Sequence, residues 1–443
     1  MLLLSLNDDV LAEILSFILS PLDALRFAQT CRYAYDVAMP RRLSEVIIKN
    51  PRQLLSFCHF VLADPKYRPI CMRTLALYST STFFSAMQHE LAEMLQRARF
   101  LRSLAVLDLE SLLCSDHLRK VLFSLPHLQH INFSNIGGWS LRLLAEMVSR
   151  PHHVRLGPFD PPSRSSLLGN VLKRFAESLE ILQIWIPGGL IQGLDCGVVY
   201  SHVHTLKLNG SQDREPISLP RLAQIFPNLK RLVCSASYRF SAENGPIWDS
   251  LDEVDAQYPI DIPTRVRSLV ARNYRNDNNR DILNMLWRTS PAMLTCMMYP
   301  DAVLEMVQAA PGWKLKCLYL KLIGFVYGQK ALALASYDTT GICDMSEYAE
   351  DDIGGRLVRA ACALRAFPLV ALSLCTGIAV MQIDRVARHV TSVIPTLEYV
   401  KIDDSAWYRV VSRPGPDMLP SLVLLSEAET YVLEQWMFTL GHS

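Results

Sequence analysis

The most regular feature of the chain is a short apolar signature: an apolar residue, two intervening positions, a second apolar residue, one intervening position and a third. It stands at Leu104-Leu107-Leu109, Leu128-Ile131-Phe133, Leu179-Leu182-Ile184 and Val203-Leu206-Leu208. It returns at Leu229-Leu232-Cys234, Leu251-Val254-Ala256, Val266-Leu269-Ala271, Leu315-Leu318-Leu320, Leu369-Leu372-Leu374 and Leu397-Val400-Ile402. An earlier copy stands at Leu75-Leu77, with weaker ones at Val154-Leu156 and Met293-Cys296-Met298. Alternation within the signature predicts a short strand with one buried face. Between the strands, helical periodicity is expected over 85–98, 140–148, 167–176 and 378–393. Pro126, Pro227, Pro368 and Pro395 each stand four or five residues before a middle apolar residue. A proline there stops the preceding helix and leads into extended chain.

The middle residues recur at a nearly fixed interval. Leu182 to Leu206 is 24 residues, Leu206 to Leu232 is 26 and Leu232 to Val254 is 22. These values fall within the period of leucine-rich repeats. The step from Val254 to Leu269 is only 15, so a loop is expected there instead of a helix. Strand alternating with helix implies a parallel sheet with right-handed connections. The expected fold is therefore α/β, a leucine-rich-repeat solenoid whose curved parallel sheet lines the concave side with helices outside. A doubly wound α/β domain is the alternative; ten copies in order weigh against it.

Residues 5–35 carry a different pattern. Ser5-x-x-Asp8 and Ser20-x-x-Asp23 read as capping boxes, and Pro21 suits a first helical position. Val10, Leu11, Ile14, Leu15 and Ile18 recur at helical spacing, and Pro40 is expected to end the segment. So short a segment cannot bury all this apolar surface by itself. The run LNDDVLAEILSFILSPLDALRFAQTCRYAY resembles the F-box, matching it at Leu6, Val10, Leu11, Glu13, Ile14, Leu15, Pro21, Asp23, Leu25, Arg26, Cys31 and Arg32. It departs at Asn7, where the family has proline, at Asp9, where it has glutamate, and at Tyr35, where it has tryptophan.

The resemblance implies docking on the Skp-type adaptor of a cullin–RING ubiquitin ligase. By position, Leu6, Val10, Leu11, Ile14, Leu15, Leu25, Cys31 and Arg32 would form the adaptor surface. The domain plan expected is an F-box-like three-helix domain at 1–45, a helical linker and first repeat at 46–100, and the irregular solenoid at 101–443. An acidic insertion at 337–355 interrupts the period.

In a repeat strand the positions between the apolar residues face the concave side. Asp108, Glu110, Trp185, Lys207, Asn209, Arg272, Tyr319 and Lys321 are accordingly the expected substrate-binding residues. Mixed charge with exposed aromatics suits a protein partner. The expected function is a non-catalytic substrate receptor that links a protein target to the adaptor and cullin ligase. The alternative is a leucine-rich-repeat interaction scaffold unattached to a ligase, its N-terminal helices serving only as a cap.

Composition narrows the field further. Forty-four Lys plus Arg against 43 Asp plus Glu gives a net charge of +1, which argues against a nonspecific nucleic-acid binder. The 11 cysteines include no CxxC, so neither a zinc site nor a redox motif is expected, and most read as small buried residues of a reducing compartment. No phosphate loop, dinucleotide fingerprint or nucleophile elbow occurs, and His89-Glu90-Leu91-Ala92-Glu93 lacks the second histidine of a zinc protease. No cofactor, metal or enzymatic activity is expected. The first residues lack the basic start of a secretory signal and no membrane span is expected, so the compartment implied is cytoplasmic or nuclear.

Overall fold

A computed structural model describes residues 7–17, 21–78, 87–158, 168–185, 194, 197–210, 217–235, 240–241, 245, 247–272, 279–298, 300–309, 312–322, 353–375, 383–403, 405–413 and 419–439. The chain is α/β and divides into two compact units, Met1–Glu215 with Gln224–Asn228, and Pro216–Ala223 with Leu229–Ser443.

The first unit opens with helices α1 (Asp8–Ser16), α2 (Pro21–Ala28) and α3 (Arg32–Ser44). Seven strands follow: β1 (Glu45–Ile48), β2 (Thr74–Leu77), β3 (Ser103–Val106), β4 (His130–Phe133), β5 (His153–Leu156), β6 (Ile181–Trp185) and β7 (Thr205–Asn209). They lie side by side in chain order, all parallel. Their pairing aligns Val46, Leu75, Leu104, Ile131, Val154, Leu182 and Leu206 in one row. Every member of that row is buried. The connections carry helices α4 (Pro51–Leu62), α5 (Arg68–Cys71), α6 (Gln88–Arg97), α7 (Leu109–Leu112), α8 (Asp116–Ser124), α9 (Gly138–Glu146) and α10 (Leu168–Leu172). Parallel pairing of consecutive strands requires such crossovers, and each helix buries one apolar stripe.

The second unit continues the same construction. Strands β9 (Arg231–Cys234), β11 (Ser250–Ala256), β12 (Arg265–Ala271), β13 (Met293–Met298), β14 (Cys317–Leu322), β15 (Ala371–Cys375) and β16 (Tyr399–Ile402) are parallel in chain order. Leu232, Val254, Leu269, Leu294, Leu318, Leu372 and Val400 form the matching buried row. Two antiparallel strands, β17 (Tyr408–Ser412) and β18 (Ser421–Leu424), extend the sheet beyond β16. A short parallel pair, β8 (Ile217–Ser218) with β10 (Phe240–Ser241), lies apart from it. The 257–264 connection between β11 and β12 contains no helix, as the short step implies.

Several boundaries differ from the sequence expectation. The middle residue of the β3 unit is Leu104, paired with Ile131, and not Leu107, which is 41% exposed. The strand stops at Val106, and Leu109 belongs to α7. The apolar spacing there runs through a strand and a helical turn alike. In β13 the middle residue is Leu294, because Leu269 and Leu318 align with it; Cys296 takes the third place. Asn7, not Ser5, caps α1, accepting from the Asp9 amide at 3.3 Å. Pro40 does not end α3. The ring removes the donor that Asp36 carbonyl would otherwise receive, and the Tyr67 hydroxyl donates to that carbonyl at 3.3 Å. Of the acidic stretch, 337–352 lie outside the described residues and 353–355 open the helix Ile353–Leu364.

Candidate functional site

The N-terminal helices sort their apolar residues into two sets. Leu11 and Leu15 are 1% and 3% exposed. Leu15 packs with Ala28 and Ala38, and Phe27, Tyr35 and Val37 close over that core. On the adjoining stripe of α1, Val10 and Ile14 are 42% and 38% exposed, and the C-cap residue Phe17 is 75% exposed. Their spacing of four and three residues places them on one helical stripe. Among the other expected docking residues, Leu25 is half-buried and Arg32 is exposed. Cys31 caps α3, its thiol accepting from the Ala34 amide at 3.4 Å. Leu6 lies outside the described residues. Further along α3, Met39 and Leu43 pack with Cys71, with Phe57 and Ile70 against them, so this helix is seated on the strand–helix units that follow.

Burial alternates along β3, β4, β5 and β6, leaving one face of the sheet partly open there, while in β7 only Lys207 is not buried. The row Asn132, Arg155, Gln183 and Lys207 runs across β4 to β7 on that face. Trp185, 40% exposed, and Asn209 are paired in the next row. Asn209 is largely buried. Trp185 is exposed and Lys207 half-buried on this face.

Asp108 and Glu110 do not. Both follow the end of β3 and bind backbone. Asp108 caps α7 and receives the Asn135 side-chain amide at 2.6 Å. Glu110 crosses to the start of α9, accepting from the amides of Trp139 and Ser140, each at 3.0 Å, and from the Ser140 hydroxyl at 2.8 Å. It thereby satisfies helical donors that would otherwise lack partners, in the role of a cap. The neighbouring Gly137 tolerates this approach because a side chain there would collide with the Glu110 carboxyl.

At the lower edge of the same sheet, histidines gather around one carboxylate. Glu180 receives His152 Nδ1 at 3.0 Å, and His204 Nε2 stands 4.0 Å away. The rings of His130 and His153 stack with centroids 4.3 Å apart. Burial, followed by the neighbouring His130 charge, holds His153 below the usual imidazole range. The His152 hydrogen bond pulls Glu180 below the usual carboxylate range. Among the described residues, no group of histidines, cysteines and carboxylates is placed to hold a metal.

The corresponding face of the second unit is largely satisfied by its own chain. Arg272 donates to both carboxylate oxygens of Asp255, at 2.8 and 2.6 Å, and Arg231 pairs with Glu253 at 2.8 Å. Tyr319 is half-buried and partly covered. Trp407 and the helix Glu427–Thr439 lie over it, and its hydroxyl is 3.6 Å from the Met437 sulfur. Met293, Cys317, Ala371, Trp407, Leu425, Leu433 and Met437 form one buried cluster there. Burial pushes the Tyr319 hydroxyl far up from its usual range. Lys321, at the end of β14, is exposed.

Sequence pattern missed Phe17, which lies beyond the repeating apolar pairs of α1, and Arg155, which sits in a weak repeat copy. It missed the C-terminal cover as well, because that segment carries no repeat signature. No family model matches the chain, and no curated protein matches it. Among the described residues, no helix is long and apolar enough to cross a membrane.

Proposed function

We propose that the chain is a non-catalytic substrate receptor of the F-box leucine-rich-repeat kind, docking on a Skp-type adaptor through α1 and presenting a protein target on the exposed side of its strand–helix repeats. The observation that carries this proposal is the split of α1: Leu11 and Leu15 are satisfied inside the bundle, while Val10, Ile14 and Phe17 stay in water. A two-turn apolar stripe left exposed on a short helix suits an interaction surface. Asn7 stands in the place of the family's proline, a departure that would weaken docking because the proline both packs and fixes the chain entry; here Asn7 caps the helix instead. Stacked parallel strands joined by helices supply the repeat wall, a solenoid in this proposal.

Such a receptor would carry no catalytic group; it would raise the local concentration of a target beside subunits that perform the transfer. Co-purification with a Skp-type adaptor tests the proposal. Val10→Asp with Ile14→Asp is expected to abolish it while leaving the circular-dichroism melt nearly unchanged. A second role, that of a repeat scaffold capped by its own helices, is favoured by the packing of Met39 and Leu43 on Cys71. Wild-type chain that captures no adaptor would select the scaffold.

A further inference from the structure

Resting on the receptor role proposed above, we infer that the exposed sheet face of the first unit binds an extended acidic segment of the target protein, its carboxylates pairing with Arg155 and Lys207 and an apolar side chain resting on Trp185. Arg155, Gln183 and Lys207 stand in register on β5, β6 and β7. Two interstrand spacings put the cationic residues about 10 Å apart. Neither forms an ion pair with another described residue.

The carboxylates nearby are engaged elsewhere. Asp108 holds Asn135, Glu110 caps α9, and Glu180 is taken by His152. On the face itself, the described positions of β2 through β7 include no acidic residue. Among the described residues, the face therefore keeps two cations without a carboxylate partner beside an exposed indole, a pattern that suits an anionic partner. The second unit forms the contrast: Asp255 and Glu253 neutralise Arg272 and Arg231 within the chain.

A protein segment fits better than nucleic acid. Two cations and one aromatic among neutral side chains are too few for a strand that is neutralised phosphate by phosphate. Carboxylates spaced along an extended peptide can meet guanidinium and ammonium groups at strand intervals, with Gln183 between them as donor or acceptor.

Fluorescence anisotropy of the full chain with a labelled oligoglutamate peptide is the test, with oligolysine and oligothymidylate as comparison probes. Oligoglutamate is expected to bind saturably and to weaken as salt rises, because exposed charge pairs are screened. Arg155→Gln with Lys207→Gln should weaken it at least about tenfold, and the reversal Arg155→Glu with Lys207→Glu should abolish it. Arg272→Gln, which loosens an arginine already paired, should leave it unchanged. Affinity unaltered in the Arg155/Lys207 variants would overturn the inference, as would absence of saturable binding or tighter binding of oligothymidylate. The adaptor assay on the same preparations separates the two proposals. Adaptor binding without oligoglutamate binding sinks only the acidic-segment assignment. Oligoglutamate binding without adaptor binding supports this surface and sinks the docking role.

Discussion

The indole of Trp407 meets the ring of Tyr319 edge-on, with centroids 5.9 Å apart and planes at 86°. Eighty-eight positions of sequence separate the two residues, yet this contact decides what the strands of the second unit can present. Trp407 is fully buried, and the helix Glu427–Thr439 closes over the same strands with Leu433 and Met437. Its indole N–H donates to Glu434 at 3.3 Å, so its polar end is satisfied within the cover.

Removing that indole should therefore be costly. Trp407→Ala is expected to lower the unfolding free energy by about 3–5 kcal/mol, the usual loss for a buried aromatic. Urea unfolding measures it, and binding of an apolar dye should rise as Tyr319 and Met293 become accessible. A loss below about 1 kcal/mol would mean the C-terminal segment is only loosely laid on the sheet.

Two glycines make opposite demands on their neighbours. A Cβ at Gly157 would stand 2.7 Å from the Ser134 Cα, a backbone atom that cannot turn aside. A Cβ at Gly137 would meet the Glu110 carboxyl end, which can swing away at the expense of the α9 cap. Gly157→Ala should accordingly destabilise the first unit more than Gly137→Ala does. Glu110→Ala should cost about 1–2 kcal/mol through the lost cap. Thermal melts of the three variants give the order.

The histidine edge makes stability depend on pH. His153 titrates below its unfolded value of 6.5, so the unfolded chain binds more protons between the two values. Stability from this group is present above 6.5 and is lost as pH falls through the folded value. Glu180 acts in the same direction at lower pH: its contribution holds above 4.5 and fades as the carboxylate protonates in the folded state. The melting temperature should fall on acidification from about pH 7, and His153→Phe should flatten the upper part of that fall. A slope identical to wild type would remove His153 as its source.

The α1 stripe gives a contrast within one helix. Leu15→Ala should cost about 2–5 kcal/mol, because it opens a cavity beside Ala28 and Ala38. Val10→Ala, at a site 42% exposed, should cost about 1 kcal/mol or less. Chemical denaturation distinguishes them, and equal losses would place Val10 in the core.

The sheet register was legible wherever burial demands it. Ile131, Leu182 and Leu206 in the first unit, and Leu232, Val254, Leu269, Leu318, Leu372 and Val400 in the second, each occupy the buried row of their own unit because only apolar side chains satisfy a position pressed between sheet and helices. At Leu104-Leu107-Leu109 the pattern failed, since a strand end and a helical start offer apolar residues at the same intervals. Strand β1 was missed because its row spans only Val46 and Ile48, directly after a helix. On the exposed faces, polarity identified Trp185 and Lys207 as surface positions but also suggested that Tyr319 was free. Its cover is a contact between distant segments, which local periodicity does not encode. The roles of Asp108 and Glu110 were hidden for a related reason: a carboxylate two or four residues beyond a strand serves a surface or a helix cap equally well until the neighbouring helix is in place.

The central claim is that α1 grips another protein through Val10, Ile14 and Phe17. Calorimetric titration of a purified Skp-type adaptor into the full chain tests it most directly, with wild type beside a Val10→Asp, Phe17→Asp variant that melts like wild type. Saturable binding by wild type, weakened about a hundredfold or more in the variant, is the predicted result. Equal affinity in both, or no heat of binding to either, would contradict it.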